Sequence, residues 1–142
     1  MNKKHLITIS IIITFCISAP ISQSRAYDVA ENFFYFKNDR EQTEFLIDDI
    51  EVYTNNDSNI FYIFKLEPTG FILVSADNFI RPILAYSFEN NYISENIPEN
   101  ISYIFNLYSM QLFEQIESRE NPDIEIAEEW NFFLSPQEYQ PS

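Results

Sequence analysis

The sequence predicts a single α+β domain: an antiparallel sheet of about four strands with a short N-terminal helix, a long helix and a short C-terminal helix. The chain has 142 residues, enough for one domain and hardly for two. Its middle holds β-rich runs separated by turn residues, and apolar residues at helical spacing flank them on both sides. Hydrophobic residues make up 46% of the chain and aromatics 17%, so the acidity belongs to a domain with a core and not to a disordered tail.

The first 26 residues read as an export signal. Lys3 and Lys4 precede an uncharged run from Leu6 to Ala19, too short for the ~20 residues of a membrane span. Ser24-Arg25-Ala26 offers small residues of the kind a signal peptidase reads, which predicts cleavage after Ala26 and a secreted or periplasmic product. Thr14 and Phe15 do not suit acylation of Cys16, so a lipoprotein is not expected. The domain is then residues 27–134, with 135–142 as a flexible tail, since Ser135 to Ser142 shows no periodicity.

Asp28 is expected to cap a helix that buries Val29, Ala30, Phe33 and Phe36 and ends at Asn38-Asp39. Ile50, Val52 and Thr54 alternate with Glu51 and Tyr53 as a strand, and Asn55 to Asn59 forms a polar turn. Ile60 to Leu66 and Phe71 to Ser75 form a hairpin through Glu67-Pro68-Thr69-Gly70, where Gly70 allows the left-handed geometry of the reversal. Ile83 to Phe88 supplies another strand. Asn100 is expected to cap the long helix, whose inner stripe is Ile101, Ile104, Phe105, Tyr108, Leu112 and Ile116. Tyr103, Leu107 and Met110 gather on the opposite side, and this second stripe wants a partner. The expected cover is the last segment, with Ile126, Trp130, Phe133 and Leu134 folding back on it; the alternative is an exposed docking surface.

Composition excludes several functions. Eight Lys plus Arg against 22 Asp plus Glu give a net charge of -14, the wrong sign for nucleic acid. Loss of Lys3, Lys4 and Arg25 with the signal would leave five basic residues and a net charge of -17. The single glycine excludes glycine-rich nucleotide cradles. The only cysteine, Cys16, and the only histidine, His5, lie in the signal, so the exported chain has no thiol or imidazole for nucleophilic catalysis or zinc. Asp48-Asp49, Asp77 and Glu128-Glu129 read as solvated charges and not as a glycosidase pair, and the Asn55–Asn59 cluster lacks the ligands of a calcium loop. No cofactor, metal or catalytic residue is expected.

The block from Phe61-Tyr62-Ile63-Phe64 through Gly70-Phe71 and Val74-Ser75-Ala76-Asp77 to Pro82-Ile83-Leu84-Ala85-Tyr86-Ser87 resembles the propeptide of streptopain-type bacterial cysteine proteases and the Spi-type inhibitors related to it. Ala30 to Phe34 is similar to its beginning, and Asn96-Ile97-Pro98-Glu99-Asn100-Ile101 with the helix to Ile116 is similar to its later part. The family's larger members continue into a papain-like domain with Cys and His, which this chain does not. The resemblance therefore implies a free-standing inhibitor of a streptopain-like cysteine protease, not an enzyme, docking over the active-site cleft. It also implies that Asn100 reaches the active site and displaces the catalytic His, with Tyr103, Leu107 and Met110 as adjacent anchors. Alternatives left open are a cap-only role for Asn100, a folding chaperone or relic propeptide, and an exported binding module using Trp130 and the tyrosines.

Overall fold

The computed structural model describes residues 20–93, 99–118 and 124–135. They form α1 (Gln23–Lys37), β1 (Ile47–Asn55), β2 (Ser58–Leu66), β3 (Phe71–Ser75), β4 (Ile83–Ser87), α2 (Glu99–Ser118) and α3 (Ile124–Leu134). The strands lie in sequence order, β1-β2-β3-β4, in one antiparallel sheet, so the predicted α+β architecture is the observed one.

Turn chemistry sets this order. Between β1 and β2, Asn56 and Asp57 take φ of 47° and 62°, two left-handed residues in succession that match the twist of a tight hairpin and that Asn and Asp tolerate. Between β2 and β3, Gly70 has φ 116°, and a Cβ there would lie 2.7 Å from the carbonyl oxygen of Ser87. No other residue type fits. The carboxamide oxygen of Asn91 accepts hydrogen bonds from the Gly70 N–H and the Thr69 hydroxyl, each at 2.9 Å, tying this turn to the segment after β4.

The sheet is covered on both faces. On one face Tyr62, Phe64, Ile72 and Val74 pack against Ala26, Val29, Ala30, Phe33 and Phe34 of α1 and against Trp130 and Phe133 of α3. On the other, Phe61, Ile63 and Leu73 pack with Leu112 of α2, and Phe113 and Ile116 at its margin. β2 is central to both layers, which is why Ile60 to Phe64 is a continuous apolar run and not an alternating one.

Several expectations are corrected. The helix begins at Gln23, and Ser22, not Asp28, is its cap: the Ser22 hydroxyl accepts from the Arg25 N–H at 3.3 Å, while Asp28 is exposed in mid-helix. Ala26 lies in the first turn of this helix and is fully buried. The domain extends back to Pro20, which bridges to Asp77, and to Ile21, whose N–H donates to Ala76 O at 2.8 Å and whose carbonyl accepts the buried Tyr62 hydroxyl at 2.8 Å. Phe36 is exposed and not core, because it lies at the end of α1 against the rings of Phe132 and Phe133. α2 opens at Glu99, so Asn100 is its second residue and not its cap, and the Asn100 side chain lies outside the described residues. Residues 1–19, the Asn96-Ile97-Pro98 approach, the side chains of Ile101, Ile104, Phe105 and Tyr108, and the tail beyond Ser135 lie outside the described residues.

The largest correction concerns α3. Trp130 and Phe133 do not cover the outer stripe of α2; they pack against α1 on the opposite side of the sheet. The Trp130 indole N–H donates to Ile80 O at 2.7 Å, Asn32 Nδ2 donates to Phe133 O at 2.8 Å, and the Phe33 and Phe133 rings meet edge to face at 5.6 Å. A buried indole must find an acceptor, and the bend before β4 presents one. Asp77 is likewise no solvated charge: it is buried, and its Oδ1 accepts from the Phe79 N–H at 2.9 Å within that same bend.

Trp130→Phe keeps a ring in the core and removes the only N–H that the side chain offers to Ile80. The expected loss is about 1–3 kcal/mol of unfolding free energy, read from urea denaturation. An unchanged midpoint would mean that α3 is not held through this bond.

Candidate functional site

The outer face of α2 carries the candidate site. Tyr103, Leu107 and Met110 are spaced by four and three residues, so one stripe holds all three. They are 62%, 41% and 53% exposed. The structure thus brings three of the four residues proposed from sequence onto one open surface. Asn100 stands one turn before Tyr103 in the sequence of α2, and its side chain lies outside the described residues.

A polar link fixes the rotation of the helix. The Tyr53 hydroxyl, reaching up from β1, donates to Asn106 Oδ1 at 3.1 Å and lies 3.2 Å from the Ser109 hydroxyl. Ser109 is buried and its hydroxyl donates to the Asn106 carbonyl at 2.9 Å. The Tyr53 ring is itself stacked on Phe61, with centroids 4.8 Å apart and planes 6° from parallel. With Ser109 and Leu112 held inward, the stripe must face outward. Sequence reading missed this link, because a serine and an asparagine on a helix carry no signal until the strand that pairs with them is known.

The surroundings are acidic. α2 contains Glu99, Glu114 and Glu117 and no basic residue. Of the chain's cations, Lys65 is paired with Glu51 and, at 3.5 Å, with Asp49, and its hydrogen bond to Glu51 is the main cause that raises its pKa above the usual lysine range. Arg81 lies 3.5 Å from Glu129 and 3.8 Å from Glu125, while Lys37 and Arg40 sit over aromatic rings. Asp49, Asp77 and Glu129, once candidates for acid–base work, are therefore each committed to a structural partner. Among the described residues no group of three or more His, Cys, Asp or Glu is placed to hold a metal ion, and no helix is long and apolar enough to cross a membrane.

An arrangement of this kind can bind and occlude. Its outer residues are apolar or amidic, and recognition by shape and anchors asks for no reactive group.

Comparison with known proteins agrees with that reading. The family model described as Spi protease inhibitor matches residues 18–112, more than half of the chain. The thiol protease/hemagglutinin PrtT of Porphyromonas gingivalis is 22% identical over 115 residues, a segment that makes up 78% of this chain and 13% of that protein. The chain thus spans about an eighth of the length of this relative. No solved structure matches. The match takes in α1, the whole sheet and α2 as far as Leu112, which includes Asn100, Tyr103, Leu107 and Met110, and on that coverage the chain belongs to the Spi protease inhibitor family of non-enzymatic inhibitor domains.

Proposed function

We propose that the chain is exported and inhibits a streptopain-like cysteine protease by laying the outer face of α2 against the active-site cleft. The observation that carries this is the open row of Tyr103, Leu107 and Met110 on a helix whose rotation is fixed by Tyr53. A preformed helix held in one rotation has no backbone left to order on binding, so the cost that remains is that of the anchoring side chains. Asn100 stands at the N-terminal end of the row, where a short polar group can enter a cleft ahead of the apolar anchors. Export is supported by Lys3 and Lys4 followed by the uncharged run from Leu6 to Ala19. The domain brings no Cys or His of its own, so the nucleophile and its base belong to the partner.

Charge narrows the partner further. An inhibitor with 22 acidic residues against at most eight basic ones favours a protease whose cleft rim is basic, and attraction of this range acts on encounter more than on residence.

Two measurements test the reading against a streptopain-like protease of the same genome. Leu107→Ala, at an exposed position, costs the fold less than about 1 kcal/mol and weakens inhibition by about tenfold. Asn100→Ala substitutes a better helix former inside α2, so melting is preserved while inhibition falls. Unchanged inhibition by both folded variants would take the docking surface away from α2. In the second, stopped-flow mixing at rising salt gives an association rate that drops steeply with dissociation little changed; a flat association rate would remove electrostatic steering.

A further inference from the structure

We propose that the export leader is removed at the Ser18–Ala19 bond and not after Ala26, an inference that rests on the export reading above. Both bonds are preceded by small residues at the first and third positions, Ser18 with Cys16 and Ala26 with Ser24, so the sequence pattern alone does not separate them. The fold does. A chain that began at Tyr27 would lack Ile21, which is 2% exposed, and Ala26, which is fully buried. It would lose the Ser22 cap of α1, the Ile21 N–H bond to Ala76 O and the Pro20 bridge to Asp77. The buried Tyr62 hydroxyl would lose its acceptor, the Ile21 carbonyl.

The retained domain must therefore include Pro20, and among the bonds before it Ser18–Ala19 fits best. The uncharged run that begins at Leu6 extends through Ile17 to this bond. Cleavage one bond later, after Ala19, would place the bulky Ile17 at the third position. Water adds across the Ser18–Ala19 peptide, leaving a carboxylate on Ser18 and a free amine on Ala19. The exported chain keeps Arg25, so its basic residues number six and not five.

The test is the intact mass of the chain exported from a bacterial host carrying the full 142-residue sequence. The expected mass is that of residues 19–142. Ser18→Leu blocks or displaces processing, whereas Ser24→Leu, at an exposed helical position, leaves it unchanged. A chain produced directly from Tyr27 melts more than about 10 °C below one produced from Ala19. An exported chain that starts at Tyr27, or at a lipid-bearing Cys16, overturns the site while export stands. An unprocessed chain retained in the cell overturns both.

Discussion

The bend from Ser75 to Pro82 is the joint on which the layers of this domain meet. The Ser75 hydroxyl donates to Asp77 O at 2.9 Å and accepts from the Asp77 N–H at 3.1 Å, while the Ser75 N–H reaches Pro82 O at 2.9 Å. Ala76 then bonds in two directions: its N–H to Ile60 O on β2 and its carbonyl to Ile21 N ahead of α1. Ile80 O receives Trp130 of α3. The segment ahead of α1, the central strand β2 and helix α3 are thus tied to one buried segment, and each of these backbone groups would cost the fold if left unpaired. The Val-Ser-x-Asp signature has this physical content: Ser75 and Asp77 close the bend on itself so that its remaining polar groups point outward to the three partners.

That joint also explains why the long helix has an open face. With α1 and α3 both committed to one side of the sheet, α2 is the one described helix on the other side. A single helix over a sheet buries one stripe, and nothing described stands beyond the second. The aromatic residues exposed in the other layer are placed differently. Phe36 and Phe132 meet edge to face at 5.4 Å, and Lys37 lies 5.4 Å from the Phe36 ring, so those rings cover one another. Of the cations, Lys65 and Arg81 are held by Glu51, Asp49 and Glu129, and Lys37 and Arg40 lie over aromatic rings.

Much of this was legible before any coordinates. The hairpin turns at Asn56-Asp57 and Gly70 carry their own backbone requirements, so strand order followed from them, and the shared face of Tyr103, Leu107 and Met110 followed from helical spacing. What failed were choices of partner. Periodicity says that Trp130 and Phe133 lie on one face; it does not say that the indole will find Ile80 O on the far side of the sheet. Asp28 satisfies a capping pattern, but the cap lies further back, at Ser22. Asp77 looked solvated because its donor, the Phe79 N–H, is visible only once the bend is formed. The Tyr53–Asn106–Ser109 link was hidden for the same reason, since it joins positions more than fifty residues apart.

Backbone hydrogen exchange, followed on the inhibitor alone and in complex with a streptopain-like protease, reads the docking surface without altering a residue. The account predicts added protection across the turns of α2 from Tyr103 to Met110, with α1 and α3 unchanged. Protection gathered instead at Phe36, Tyr86 and Phe132, with α2 exchanging as in the free chain, would contradict it.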